Sequence, residues 1–185
     1  MLKIAVTGHR PGKLGNAYDL MHPINIHIGK NMREFILAMA GYDPDTKTFR
    51  DDETYTLISG MALGVDTIWA MVALKLKREF PGKFFLECAI PCKGQETKWK
   101  QSAQERYHQI LSQADKVTYV TETTYTPSCM QKRNEYMVDE ADFLYGVWDG
   151  SSGGTKNCID YAKKKGIVMY IEDPTPIIQA YQSNR

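Results

Sequence analysis

Short apolar runs alternate along the chain with longer amphipathic segments. Apolar runs of strand length lie at 2–6, 55–58, 84–90, 116–120, 143–148 and 167–171. Helix-length segments lie between them, at 24–40, 63–80, 97–113, 130–141 and 154–165. Apolar strands that alternate with helices are typical of a parallel sheet covered on both faces. The pattern predicts an α/β fold, a single Rossmann-like domain whose mainly parallel sheet carries helices on both faces.

Three stretches lie outside this alternation. Residues 41–53 are polar and rich in turn formers, which predicts a surface loop. Residues 10–23 are long for a strand–helix connection, and either a ligand-facing lid carrying Tyr18 and Asp19 or a mobile surface loop fits them. The "DPTP" run after the last strand predicts the end of regular structure. We therefore expect a domain over 1–173 and a frayed or loosely packed tail over 174–185.

Composition narrows the class of protein. A chain of 185 residues suits one domain, and its net charge of +1 gives no support for a nucleic-acid or membrane partner. It contains neither a signal-peptide pattern nor an apolar run of membrane-spanning length. The four cysteines are Cys88, Cys92, Cys129 and Cys158, and no two of them form a CxxC pair. We therefore expect reduced thiols, no metal site and a cytoplasmic protein.

The chemistry is expected at the carboxyl ends of the strands, where ligands bind in open α/β sheets. Small and polar residues follow four of the predicted strands. They are Thr7, Gly8, His9 and Arg10; Ser59, Gly60, Met61, Ala62 and Gly64; Pro91, Cys92, Gly94, Gln95 and Glu96; and Asp149, Gly150, Ser151, Ser152, Gly153, Gly154 and Thr155. Such clustering predicts one ligand site assembled from several loops.

Two of these loops, "SGMALG" (59–64) and "GSSGGT" (150–155), have the composition of phosphate-binding turns. Glycines allow close backbone approach, and the helix that follows offers free N–H groups and a partial positive charge. Arg10 is predicted to clamp the same phosphate. Neither loop matches GxxxxGK[ST], and no GxGxxG follows the first strand, so a P-loop ATPase and ordinary dinucleotide-dependent hydride transfer lack support.

Several further side chains have two interpretations. Asp66 either complements the helix dipole or accepts ribose hydroxyls. Trp99 either stacks on a base or packs its own helix, and Trp148 has the same ambiguity. His9, beside Arg10 in a strand-end loop, is predicted to contact ligand. Cys92 has no base assigned to it by spacing, which disfavours a nucleophilic role.

Five motifs occur in the order typical of the YpsA-like family of the SLOG superfamily, which the chain resembles over about residues 1–171. They are "TGHRP", "SGMALGVDTIWA", "IPCKGQETKW", "KRNEYMVDEADFLYGVWDG" and "GGTKNCIDYAKKKG". The resemblance implies a Rossmann-like fold and a site for nucleotides or their ribosyl derivatives. Within the fourth motif, Arg133 and Asn134 are expected to face the site.

The superfamily also contains the Lonely Guy phosphoribohydrolases and the DNA-processing protein DprA. The former carry "PGGxGTxxE", whose glutamate serves cleavage of an N-glycosidic bond. Here Lys156, Asn157 and Cys158 follow Thr155, so that carboxylate is missing. "SGMALGVD" resembles the SGxAxGID loop of DprA, a single-stranded DNA binder.

Three hypotheses follow. The first is a protein that binds a nucleotide or a nucleotide derivative, ADP-ribose-like or cyclic, and senses or sequesters it. The second is a nucleotide N-glycosidase or phosphoribohydrolase, in which Arg133 stabilises charge and Asp139, Asp142 or Asp149 replaces the glutamate. The third is single-stranded DNA binding. None of the three hypotheses requires a cofactor, and the sequence leaves the formation of a homo-oligomer as an open question.

Overall fold

The computed structural model describes residues 1–183 of the chain. The eight strands of this part are β1 Leu2–Gly8, β2 Tyr42–Asp43, β3 Thr48–Phe49, β4 Tyr55–Ser59, β5 Phe84–Ile90, β6 Lys116–Tyr119, β7 Phe143–Val147 and β8 Val168–Glu172. Its six α-helices are α1 Pro23–Met39, α2 Val65–Glu79, α3 Gln101–Leu111, α4 Cys129–Glu140, α5 Gly154–Lys165 and α6 Thr175–Ser183. A single 3-10 turn covers Pro11–Lys13.

Six strands form one sheet in the order β6-β5-β4-β1-β7-β8. Every neighbouring pair in it is parallel. The predicted α/β class is confirmed, and each of the six predicted apolar runs is a strand of this sheet.

The four central strands, β5, β4, β1 and β7, are buried on both faces, which explains why they are mostly apolar without alternation, whereas the edge strands β6 and β8 are largely exposed. Along β1, Ile4 and Val6 belong to a core formed with α1, α2 and α3. Ala5, between them, belongs to a second core formed with α4 and α5 on the other face. Successive side chains of a strand point to opposite faces, so one short run supplies both cores.

The strand order reverses between β1 and β7. From β1 the chain moves outward through β4, β5 and β6, and β7 then returns to the other side of β1. Gly8 and Val147 pair at the carboxyl ends of these two strands. The loops that follow therefore diverge at this switch point and leave a crevice between them.

Two expectations about the connections need correction. Residues 41–53 contain the β2–β3 hairpin, whose Phe49 packs against Phe80 and Phe84. The predicted end of regular structure at "DPTP" is wrong for 175–183, which form α6 and place Ile178 against the main core. The β2–β3 hairpin and α6 are each anchored by a few widely spaced apolar residues. Such a pattern is too weak to predict a hairpin or a helix from the sequence. Residues 184 and 185 lie outside the described part of the chain.

The 10–23 connection is ordered by contacts with α1. Leu14 and Ala17 are buried in the main core. The Asn25 side-chain amide donates hydrogen bonds to the carbonyls of Ala17 and Asp19, at 2.8 and 2.7 Å. These contacts fix the path of the chain from β1 to α1.

No helix among residues 1–183 combines the length and the apolar character that crossing a bilayer requires. The four cysteines are free and buried. Burial raises the pKa of the Cys92 thiol to about 11 and that of Cys88 to about 12, so both are held as neutral thiols at ordinary pH.

Candidate functional site

A cavity of about 360 Å³ opens at the switch point, between the end of β1, the loop before α5 and the amino-terminal parts of α2, α4 and α5. Its volume is in the range of small-molecule sites. Ten residues predicted to bind ligand line it: Gly8, His9, Arg10, Ala62, Asp66, Arg133, Asn134, Gly153, Gly154 and Thr155. The sheet topology thus brings together residues from three separate predicted loops and from α4.

The amino end of α5 opens into this cavity. Gly153 is its N-cap and supplies no side-chain hydrogen bond, and no acidic residue lies in the first turn. Within the described chain the backbone N–H groups of Gly154, Thr155 and Lys156 donate to no protein acceptor. Three unpaired donors and the positive end of the helix dipole form a site suited to an anion.

The loop before α5 is held in place by its neighbours. Asp149 Oδ1 accepts a hydrogen bond from Ser151 N at 2.9 Å and lies 2.8 Å from His9 Nε2. Hydrogen bonds from Ser151 and the adjacent His9 lower the pKa of Asp149, which stays ionised. The Trp148 indole donates to the Ser151 carbonyl at 2.7 Å. His9 and Asp149 therefore join the ends of β1 and β7.

Positive charge surrounds the cavity. Arg10 is exposed, and its side chain forms no ion pair or hydrogen bond within the described chain. Lys13 donates to Ser151 Oγ at 2.6 Å and to the Ser152 carbonyl at 2.9 Å. Arg10 is thus the cation left free to meet a ligand, while Lys13 connects the 3-10 turn to the glycine loop.

A buried ion pair forms the floor of the site. Arg133 Nη1 donates to Asp66 Oδ2 at 2.8 Å, and each side chain is only 8% exposed. The same carboxylate oxygen accepts from Ala62 N at 3.2 Å. Gly60 leaves the space for the pair, since a Cβ there would overlap the Arg133 guanidinium. The sequence offered two interpretations of Asp66, the helix dipole and ribose hydroxyls. The structure adds a third role, the ion pair with Arg133.

The 59–64 loop and the 150–155 loop differ in their free donors. Met61 N donates to Ser59 Oγ, Ala62 N to Asp66, and Val65 N to the His9 carbonyl. These amides are occupied inside the protein. The start of α5, with three free amides at the cavity, is therefore the stronger anion-binding candidate, and Ala62 is the one residue of the 59–64 loop that lines the cavity.

Other predicted residues lie outside the cavity. Ser59, Gly60, Met61, Gly64, Asp149 and Gly150 stand behind its walls. Pro91, Gln95 and Trp99 follow β5 and do not line it, and Gln95 Nε2 instead contacts the Met61 carbonyl at 3.4 Å.

Two of the candidate acids also lie elsewhere. Asp139 pairs with Lys165 at 2.6 Å on the outer side of α4 and α5. Asp142 accepts from Lys3 N at the amino end of β1, the opposite end of the sheet.

Sequence reasoning missed some of the lining. Gly12 and Lys13 line the cavity, and both follow Arg10 in "HRPGK". The position of "PGK" directly after the first strand was the available signal. Met130 also lines it, from the first turn of α4, and no pattern in the sequence distinguished Met130 from core methionines.

Cys158 occupies the position of the glutamate of the phosphoribohydrolase motif. It is fully buried, and burial raises the pKa of its thiol to about 11. The acid that lines the cavity, Asp66, is engaged by Arg133. The arrangement can hold an anion. The carboxylates of Asp66 and Asp149 are both engaged by other protein groups.

The architecture is that of a Rossmann-like domain with a cavity at the topological switch point. The YpsA family model, described as the YspA SLOG family, matches residues 4–170, so the chain belongs to this family. It is 34% identical over 170 residues to the UPF0398 protein of Bacillus cereus strain AH820. The aligned residues cover 90% of this chain and 85% of that relative. The SPbeta prophage-derived protein YoqJ of Bacillus subtilis strain 168 is 35% identical over 126 residues, 61% of this chain and 72% of that protein.

Solved structures of DprA share the fold. The Streptococcus pneumoniae protein superposes with a TM-score of 0.58 at 15% identity, over 92% of this chain and 50% of DprA. The Helicobacter pylori protein, solved for its single-stranded DNA binding mode, gives 0.57 at 15% identity, over 98% of this chain and 73% of DprA. The chain thus spans half the length of the first of these proteins.

Proposed function

We propose that the protein binds a nucleotide or a nucleotide derivative, such as an ADP-ribose-like or cyclic nucleotide, at the switch-point cavity. One observation carries the proposal. The start of α5, with the unpaired amides of Gly154, Thr155 and Lys156, opens into a cavity that the free side chain of Arg10 also lines. A phosphate accepts several N–H donors at once and is stabilised by a helix N-terminus and an arginine.

The rest of the cavity suits the sugar and base. Asn134 is held by its 3.3 Å contact from Nδ2 to the Gly154 carbonyl, which leaves its Oδ1 to accept from a ligand hydroxyl. Thr155 adds a hydroxyl in the first turn of α5. Val6 and Met130 supply apolar surface. Polar groups that converge in a partly apolar cavity are typical of small-molecule sites.

Capture is favoured over cleavage. Hydrolysis of an N-glycosidic bond uses a carboxylate that is free to act on water or the leaving group. Asp66 is tied to Arg133 and Asp149 to His9 and Ser151, while Cys158 replaces the glutamate of the related hydrolases. The function supported best is therefore a sensor or sequestering protein, which releases its ligand unchanged.

Calorimetric titration of AMP, ADP-ribose, NAD, cyclic AMP and inorganic phosphate tests the proposal. Loss of a charge-assisted contact predicts that Arg10→Ala weakens the best ligand about tenfold to hundredfold. Arg50→Ala, an exposed arginine on the distant hairpin, is the matched control and leaves affinity unchanged. Equal affinities for Arg10→Ala and the parent protein would refute the phosphate site.

Chromatography of the same mixtures examines hydrolysis. Intact ligand after prolonged incubation agrees with capture, whereas the appearance of free base would establish the phosphoribohydrolase alternative.

A second candidate, single-stranded DNA binding, draws support from the shared fold with DprA of Helicobacter pylori, solved for that binding mode. Retardation of a dT12 oligonucleotide over a salt series separates the two. Phosphate-driven DNA binding weakens steeply as salt rises. No retardation at low salt would remove this candidate.

A further inference from the structure

A second cavity, of about 220 Å³, lies on the other side of the strand-end segments that wall the first. Arg10 and Gly12 line the first cavity, whereas Pro11 lines the second. Likewise Ala62 lines the first and Leu63 the second. Two short stretches of chain thus form a common wall between two openings.

The second cavity is basic. Lys98, Lys100 and Arg106 line it, and no acidic side chain of the described chain does so. None of the three cations forms an ion pair or a side-chain hydrogen bond within residues 1–183. Unpaired cations that converge on one concave surface raise the local potential for an anion.

The amino end of α3 adds to this potential. Lys100 is its N-cap and provides no side-chain hydrogen bond, and the first turn holds no acidic residue. The amides of Ala103 and Gln104 bond to the Lys100 carbonyl, which leaves those of Gln101 and Ser102 open. Lysines at the positive end of a helix dipole oppose helix stability. A bound anion reverses that penalty.

Aromatic surface lies beside the cations. Trp99 lines the cavity and is fixed by edge-on contact with Tyr107, with ring centroids 5.6 Å apart. Tyr18, from the 10–23 connection, is 59% exposed and lines the cavity too. Aromatic side chains next to cations are the combination that binds nucleotide bases together with their phosphates.

One buried acceptor in the cavity wall lacks a donor. Asn25 is 3% exposed and uses its Nδ2 for two backbone carbonyls, which fixes the orientation of the amide. Its Oδ1 has no hydrogen-bond partner. Buried acceptors are normally satisfied, so this site favours a ligand that carries ring N–H or amino donors.

We propose that the second cavity binds a second nucleotide unit, with its phosphate at the start of α3 and its base beside Trp99. The class of ligand rests on the proposed function, whereas the site is separate from the first cavity. The unit is either a free nucleotide or one residue of a single strand, since both present the same phosphate and base.

Two variants test this site without disturbing the core. Lys98→Gln/Lys100→Gln removes two exposed charges. Ser102→Asp puts an acid in the first turn of α3, where it stabilises the helix but repels phosphate. We therefore expect Ser102→Asp to raise Tm and to weaken binding. If Ser102 acted only through the stability of the fold, stability and binding would change in the same direction. Lys163→Gln/Lys164→Gln, at the other end of α5, is the charge-matched control.

Calorimetry with AMP gives two sites per chain for the parent protein and one for either variant. Arg10→Ala removes the other site, so failure of the first cavity and failure of the second are distinguishable. A parallel loss of dT12 affinity in Lys98→Gln/Lys100→Gln identifies a strand as the source, and unchanged dT12 affinity identifies a free nucleotide. AMP and dT12 isotherms that neither variant alters would overturn the proposal.

Discussion

Arg133 of α4 and Asp66 of α2 form an ion pair across the carboxyl end of the sheet, 2.8 Å apart and almost wholly buried. The pair joins helices from opposite faces of the sheet, because α2 packs with the main core and α4 with the second. Arg133 Nε is also buried without a partner. The site therefore has a floor whose integrity depends on one charge–charge contact.

Removal of one partner should be more damaging than removal of both. Arg133→Met leaves the Asp66 carboxylate buried and unpaired, so we expect a loss of about 3–5 kcal/mol in unfolding free energy. Arg133→Met/Asp66→Asn should recover part of it. Denaturant unfolding of the four proteins gives the coupling energy as a double-mutant cycle.

The exposed pair of Lys165 and Asp139 is the matched control for this cycle. Lys165→Met should leave the free energy of unfolding almost unchanged, because this exposed pair is screened by water. A double variant of the buried pair that is less stable than both single variants would contradict the assignment.

Gly60→Ala should displace the same pair. The added Cβ overlaps the Arg133 guanidinium and lies 2.8 Å from Asp66 Oδ2. We expect a loss of about 2–4 kcal/mol, in the range of other disrupted buried networks. Gly154→Ala is the comparison, since a Cβ there meets no atom within 4 Å. Similar melting temperatures for Gly60→Ala and the parent would show that Arg133 relaxes freely.

The sequence predicts the central sheet well because its strands carry a signal that does not depend on distant contacts. Buried strands are mostly apolar, and 84–90 is predicted with the bounds that β5 has. Ten of the predicted ligand residues also converge at the switch point, since the parallel topology brings strand ends to one edge.

Other features depend on packing that no local pattern reveals. The 59–64 and 150–155 loops have similar compositions, but in the first one hydrogen bonds to Ser59 and Asp66 occupy the amides of Met61 and Ala62. Trp99 follows a strand end like the true lining residues, yet β5 lies two strands away from β1 and opens on the second cavity. Position within the sheet, rather than composition, decides these outcomes.

A single amide can be removed from the phosphate site by Gly154→Pro. Gly154 is the first residue of α5, where proline is compatible with the helix because the missing N–H had no intrahelical acceptor. We expect unchanged thermal stability and AMP or phosphate affinity lowered about fivefold to tenfold, the loss of one hydrogen bond to a charged group. Gly154→Ala keeps the amide while adding a side chain at the same position, so a larger loss of affinity in the proline variant than in the alanine variant, by calorimetry, isolates the missing N–H. Undiminished affinity of the proline variant would place the phosphate elsewhere.

The Asp149 carboxylate should contribute stability in a defined pH window. Its pKa is lowered in the folded protein by the hydrogen bonds from Ser151 and by His9. A lowered pKa stabilises the fold above the unfolded value of about 3.9, and this contribution is lost as pH falls toward the folded value. Asp149→Asn should therefore lower Tm by about 2–4 °C near neutral pH, and the difference should shrink below about pH 4.

Thermal melts of both proteins from pH 7 to pH 3 check this prediction. Asp45→Asn, in the exposed β2–β3 turn, is the control. A Tm difference between Asp149→Asn and the parent that stays constant across this range would show that the carboxylate charge contributes nothing.

The contact between α2 and the end of β1 has a thermodynamic consequence. Gly64 has a φ of +93°, and a Cβ there would collide with the His9 carbonyl, so the two segments meet at backbone distance. With His9 also fixed on Asp149, the walls have little freedom left to lose when a ligand arrives. Association at such a rigid site loses little conformational entropy, so measured affinities should report the contacts themselves.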